Sequence, residues 1–149
     1  MTEVSRTLKE NFGLSAEKAI YRESEIRRHF PEASVDGYEE LIPAMSNHPK
    51  DRHVLAAAVK AGAKVILTYN IKDFPPSSLA PHSISVQGPS AFLNRLHDLA
   101  PIVVMETLEA QAAAIGQSLE YLLSRLRINA PAFVAMIERE TRSGIDSIE

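Results

Sequence analysis

The chain has 149 residues, of which 45% are hydrophobic and 23% charged, and its formal net charge is −3. These values favour one domain of ordinary size with a small additional part, and they argue against global disorder and against a generally basic nucleic-acid coat. Cysteine is absent, which excludes a disulfide framework, a thiolate metal site and a cysteine nucleophile.

The N-terminal part predicts two helices followed by irregular elements. Residues 2–12 carry apolar side chains at four-residue spacing, which is typical of one helical stripe. Ser15 is placed to cap a second helix, which Pro31 ends. Residues 33–37 predict a short strand and a turn, and residues 38–43 one helical turn.

The stretch from residue 47 onward predicts a core helix that carries a carboxylate at its start. Pro49 suits a first helical turn, where its missing N–H costs nothing. Asp51 lies in that turn, where the helix dipole favours a negative charge. Residues 54–59 are apolar on every face, so the helix is expected in the core, and Gly62 ends it.

A second carboxylate follows a predicted strand. Residues 65–67 form a continuous apolar run, as expected of a strand covered on both faces. Asp73 comes just after the carboxyl end of this strand, where open α/β sheets bind ligands. A connector, a strand over residues 84–86 and a helix over residues 90–99 complete this part.

From residue 101 the pattern becomes helical throughout. One helix is predicted to end at Gly116, a second to begin after Ser118, and a third to run from Pro131 to Gly144. We therefore expect two parts, residues 1–100 as an α/β domain and residues 101–149 as a helical appendage.

The alternation of helices and short strands predicts a three-layer α/β/α domain with a short parallel sheet, in which Asp51 and Asp73 converge at one edge. Two neighbouring carboxylates repel unless a positive charge lies between them, and a hard divalent cation such as Mg²⁺ is the usual one. Glu3 is a candidate third carboxylate. The candidate substrate-binding residues are Lys50, Arg52, Thr68, Asn70 and Lys72.

Simpler roles remain open for these residues. Asp51 in a first helical turn is also placed to interact with the helix dipole, and Asp73 to serve a turn or a helix cap. The histidines show no zinc-ligand spacing, so we expect them to be solvated or locally hydrogen-bonded. They are His29, His48, His53, His82 and His97.

Two segments together, residues 49–58 and 65–75, resemble the C-terminal half of a PIN domain, closest to VapC-like toxins. The resemblance implies a ribonuclease of toxin–antitoxin systems that cleaves RNA by a water activated by Mg²⁺ or Mn²⁺. Asp51 matches the family's acid at the start of the core helix, and Asp73 its acid at the strand-end turn. Glu3 resembles the glutamate of its early helix.

The chain departs from the family at its start. PIN domains open with a central strand that bears their first aspartate, and this chain has neither, so an N-terminally truncated PIN-like domain is expected. His48 stands where related sequences commonly have aspartate. Three arrangements are compatible with the loss of the central strand. The flanking strands near Val35 and at residues 65–67 pair directly, or a second copy fills the gap in a homodimer, or another polypeptide supplies the strand.

The leading hypothesis is a VapC-like ribonuclease relative with weak or no activity as this chain, with RNA as substrate and an antitoxin as the implied partner. The alternative is a non-catalytic binding or oligomerisation module on a degenerate PIN fold. A phosphate-accepting receiver-like domain fits less well, because no acid pair lies near the chain start. No segment reaches the length of a membrane span or resembles a signal peptide, so a cytoplasmic protein is expected.

Overall fold

The computed structural model describes residues 9–10 and 13–146, with the backbone alone for residues 143–146. The chain divides into two compact units: residues 1–45 with 52–62, and residues 46–51 with 63–149. The helix predicted over residues 2–12 lies outside the described residues, apart from Lys9 and Glu10, which are helical. Among the described residues, no helix has the length and hydrophobicity needed to cross a membrane.

In the first unit, helix α1 (Ala16–His29) begins as predicted after Ser15. The Ser15 Oγ accepts a hydrogen bond of 3.3 Å from the backbone N–H of Lys18, so the cap satisfies one of the helix's free donors. The helix ends two residues before Pro31, because the residue that precedes a proline disfavours the helical conformation.

The strand predicted over residues 33–37 is wrong. The structure has a 3₁₀ helix over Pro31–Ala33, followed by irregular backbone and by Gly37 at φ 71°. The ring of Pro31 sets a φ suited to a helical turn, and Gly37 supplies the positive φ of a second turn. Val35 alone is too short an apolar signal to make a strand without a neighbouring strand.

The first unit continues with a 3₁₀ helix over Glu39–Ala44, near the predicted helical turn, and with helix α2 (Arg52–Lys60), which packs against it. Leu55 and Ala56 of α2 are fully buried, so this helix lies in the core as predicted. Gly62 ends the helical segment at φ 65°, a conformation that glycine adopts without strain.

In the second unit, strand β1 (Val65–Leu67) pairs in parallel with strand β2 (Ser85–Gln87), and Ile66 lies opposite Val86. The sheet has two strands among the described residues. Ile66 is buried but Leu67 is 49% exposed, so the expectation of a strand covered on both faces is wrong at Leu67. A largely helical chain with a short parallel sheet is compatible with an α/β fold; three layers and a truncation stay predictions.

The connection between the strands contains helix α3 (Pro76–Leu79) between two 3₁₀ turns, Ile71–Asp73 and Ala80–His82. Phe74, Ser78 and Leu79 are buried, so the connection belongs to the core of the unit. It carries the chain from the end of β1 back to the start of β2, as a parallel pair requires.

Longer helices complete the second unit: α4 (Pro89–Leu99), α5 (Pro101–Ala114), α6 (Leu119–Leu126) and α7 (Pro131–Asp146). Their shared core contains the buried side chains of Leu108, Leu123, Ala130, Phe133, Val134 and Ile137. Helix α4 packs against α7, and His97 Nε2 of α4 lies 3.3 Å from Glu140 Oε2 of α7. A separable appendage from residue 101 stays a prediction.

The predicted end of the last helix at Gly144 is wrong, since α7 continues to Asp146. A glycine inside a helix costs only about 0.5–1 kcal/mol relative to alanine, and here no proline follows to stop the helix. The predicted cap at Ser118 is confirmed: its Oγ accepts a hydrogen bond of 3.1 Å from the Tyr121 backbone N–H.

Candidate metal centre

Two tight turns of the second unit carry the carboxylates of Asp51 and Asp73. Each ends a 3₁₀ helix, Pro49–Asp51 in one turn and Ile71–Asp73 in the other. The Asp51 backbone N–H donates to the His48 carbonyl at 2.9 Å, and the Asp73 N–H donates to the Asn70 carbonyl at 2.9 Å. Backbone hydrogen bonds therefore define the conformation of each turn that carries an aspartate.

A third backbone hydrogen bond joins the two turns. The N–H of His48 donates to the carbonyl oxygen of Asp73 at 3.1 Å. His48 and Asp51 are three residues apart in a 3₁₀ turn, and side chains at this spacing lie on the same face. The turn thus presents an imidazole and a carboxylate together, beside the carboxylate of Asp73.

The three side chains form a compact set of metal-ligating groups. One ligand atom from each of His48, Asp51 and Asp73 lies within 4.8 Å of the other two. The Asp73 residue is only 6% exposed, whereas the imidazole of His48 lies at the surface. The set therefore combines a buried carboxylate, that of Asp73, with a solvent-accessible imidazole, that of His48.

Lys50 supplies the positive charge beside this set. Its Nζ lies 3.0 Å from Asp73 Oδ2 and 4.0 Å from Asp51 Oδ2. Both Oδ2 atoms are buried, and neither accepts a well-aligned hydrogen bond from the part of the chain that the structure describes. Buried oxygens of this kind fit a metal ion, which binds oxygen without the alignment that a hydrogen bond needs.

The ion pair shifts the pKa values of both partners. The Lys50 ammonium holds the pKa of Asp73 below its ordinary value, against desolvation, which raises it. The Asp73 carboxylate in turn raises the pKa of Lys50. Both groups are therefore charged at neutral pH. Because the Lys50 side chain is 56% exposed, it has room to leave the carboxylates by rotating into solvent.

The other predicted site residues have different positions. Thr68 follows β1, and its Oγ1 accepts a hydrogen bond of 3.0 Å from the Asn70 N–H, so its oxygen shapes the turn. Asn70 and Lys72 are exposed on the chain that leads to Asp73. Arg52 begins α2 and belongs to the first unit. Their substrate-binding roles stay predictions.

The sequence predicts Glu3 as a site residue and does not predict His48. Glu3 lies outside the described residues, so its role as a third carboxylate stays a prediction. His48 belongs to no zinc-like spacing, so the pattern of histidines does not indicate it as a ligand. The available signal was its position three residues before Asp51, across a proline that favours a tight turn.

Comparison with curated proteins finds a relative from Mycobacterium tuberculosis, named "Putative ribonuclease VapC50", that is 56% identical over 57 residues. The match covers 38% of this chain and 34% of the relative, so the chain matches about a third of the relative's length. No family model matches the chain, and no solved structure gives a significant match. Over the matched segment, the similarity supports the predicted relationship to VapC-like proteins with a PIN domain.

Proposed function

We propose that this chain is a relative of the VapC-like ribonucleases that holds a divalent cation between Asp51 and Asp73 and acts on RNA phosphodiesters. The observation that carries the proposal is the convergence of His48, Asp51 and Asp73 on ligand atoms within 4.8 Å of one another. The partial similarity to the relative named "Putative ribonuclease VapC50" supports the choice of reaction.

Each side chain has a distinct part in this proposal. The carboxylates of Asp51 and Asp73 bind the cation, and the hydrogen bond from the His48 backbone N–H to the Asp73 carbonyl holds their two turns together. A bound divalent cation supplies charge that activates a water and offsets the negative charge developing on a phosphodiester. Lys50, released from the carboxylates, carries its ammonium at the rim of the site, where it suits a phosphate oxygen.

Cleavage of single-stranded RNA with added Mg²⁺ or Mn²⁺ tests the proposal. We expect weak cleavage that EDTA stops and that Asp51→Asn and Asp73→Asn each reduce to background. Asp98→Asn is the matched control, because Asp98 is an exposed aspartate on α4 outside the turns that carry the site. Activity that survives both site substitutions would contradict the assignment.

The partners implied by the resemblance form part of the same proposal. RNA is the proposed substrate, an antitoxin protein the proposed partner, and a homodimer the proposed assembly. Light scattering measures the molar mass of the purified chain in solution and so tests the homodimer. A molar mass equal to that of the monomer would contradict it.

A non-catalytic module is the second candidate, and the Lys50 contact favours it. An ammonium at 3.0 Å from Asp73 Oδ2 already compensates the carboxylates, as in a purely structural ion pair. The two functions differ in their response to metal. A divalent cation that binds only the folded protein raises its melting temperature, whereas a structural ion pair leaves the melting temperature unchanged when EDTA is replaced by Mn²⁺.

A further inference from the structure

The imidazole of His48 adds a nitrogen ligand to the two carboxylates. Ligand atoms at about 2.0–2.2 Å from one cation are at most about 4.4 Å apart. The ligand atoms of His48, Asp51 and Asp73 lie within 4.8 Å of one another. A small movement of the side chains therefore suffices to place all three on a single ion.

We infer that this centre takes a first-row transition-metal dication, represented by Mn²⁺, in preference to Mg²⁺, and that His48 is its nitrogen ligand. The inference rests on the metal site of the proposed function and specifies which cation that site selects. Mg²⁺ is a hard cation that prefers oxygen ligands and keeps its waters, whereas imidazole is a good ligand for first-row transition metals.

The backbone of His48 is anchored while its ring remains accessible. The His48 N–H donates to the Asp73 carbonyl at 3.1 Å, and the His48 carbonyl accepts from the Asp51 N–H at 2.9 Å. Its Nδ1 accepts from the Lys50 backbone N–H at 3.4 Å, which is long for a hydrogen bond and costs little to give up. The exposed imidazole can therefore turn toward the carboxylates without disturbing the turn.

The charges of the centre call for a dication. Asp51 and Asp73 carry two negative charges on oxygens that are buried, and Lys50 supplies one positive charge. A dication that replaces the ammonium between the carboxylates would neutralise both of them, and a neutral imidazole completes the ligand set without adding charge. The combination of two anionic oxygens with one nitrogen separates this centre from an all-carboxylate magnesium site.

Isothermal titration calorimetry of the full chain with Mn²⁺ and with Mg²⁺ tests the selectivity between the two cations. We expect Mn²⁺ to bind about tenfold or more tightly than Mg²⁺, and His48→Ala to remove most of this preference. His29→Ala, which removes an exposed histidine on α1, serves as the matched control and should keep the preference. His48→Asp, which restores an all-oxygen ligand set, should strengthen Mg²⁺ binding relative to Mn²⁺.

Pulsed electron paramagnetic resonance of bound Mn²⁺ gives a readout that does not depend on activity. We expect a ¹⁴N coupling from a directly bound imidazole in the wild type and in His29→Ala, and its loss in His48→Ala. Mn²⁺ that binds in an Asp73-dependent manner without this coupling would overturn the role of His48 and leave the proposed function standing. Binding of neither cation, or binding that Asp73→Asn does not weaken, would overturn both.

Discussion

The backbone N–H of His48 and the carbonyl oxygen of Asp73 are joined by a hydrogen bond of 3.1 Å, which holds the two carboxylate-bearing turns together. This main-chain contact keeps the turns of Asp51 and Asp73 next to each other without requiring any contact between their side chains. Two like charges held close by the backbone repel, and the protein compensates them with Lys50.

Removal of the Lys50 charge should lower the melting temperature of the metal-free protein and increase the rise in melting temperature that metal causes. We expect Lys50→Met to melt at a lower temperature than the wild type in EDTA, because the carboxylates are left without a counter-charge. Mn²⁺ should then raise its melting temperature by more than that of the wild type, because the ammonium no longer competes. Lys64→Met is the matched control at an exposed position; equal melting of Lys50→Met and wild type in EDTA would contradict the prediction.

Acid should destabilise the metal-free protein partly through Asp73. Contact with the Lys50 ammonium places the folded-state pKa of Asp73 below its ordinary value of 3.8, so this contribution to stability is fully present above that pH. It is lost as the pH falls through the lower, folded-state pKa. Urea unfolding in EDTA should show a steeper loss of stability in this acidic range for the wild type than for Asp73→Asn. Identical pH profiles would show that the ion pair contributes nothing.

The helical core of the second unit depends on Ile137. This side chain is 1% exposed, so Ile137→Ala should lower the free energy of unfolding by about 2–5 kcal/mol through lost burial and a cavity. Ile102 is 72% exposed, and Ile102→Ala should change the free energy by about 0.5 kcal/mol or less. Urea unfolding measures both; similar losses for the two variants would mean that Ile137 is not in a packed core.

The start of α6 depends on the cap at Ser118. Loss of its Oγ in Ser118→Ala should cost about 1 kcal/mol, because the Tyr121 N–H loses its acceptor. Ser124→Ala is a suitable control, since the Ser124 Oγ donates to a carbonyl that is already within the helix and the change to alanine favours helix. In urea unfolding, Ser118→Ala should have a lower free energy of unfolding than both Ser124→Ala and the wild type. The reverse order would contradict the role of Ser118 as a helix cap.

Helix boundaries were predictable where one residue decides them. Ser15 and Ser118 cap helices as their hydroxyls suggest, and Gly62 ends a helical segment at positive φ. The prediction of a strand near Val35 was wrong because a strand depends on a neighbouring strand, which a local sequence pattern does not specify. The predicted end of α7 at Gly144 was wrong because one glycine is a weak stop signal, and the helix continues to Asp146.

The candidate site was only partly predictable. Asp51 and Asp73 were proposed from their positions at a helix start and a strand end, and the structure brings them together. His48 lies close to the two aspartates because of a 3₁₀ turn and a hydrogen bond to Asp73, which is distant in sequence. Neither feature can be predicted from the spacing of histidines. Lys50 was expected to meet phosphate, and its contact with both carboxylates became visible only once the two turns were placed.

Lys50 and Asp51 are consecutive residues, so the ammonium stays within a side chain's reach of the carboxylates whatever else the protein binds. In the proposed metal site, a free dication would therefore compete with a tethered ion, whose effective concentration does not fall when the solution is diluted. Occupancy should then follow the supply of metal, while the carboxylates keep a counter-ion at every metal concentration.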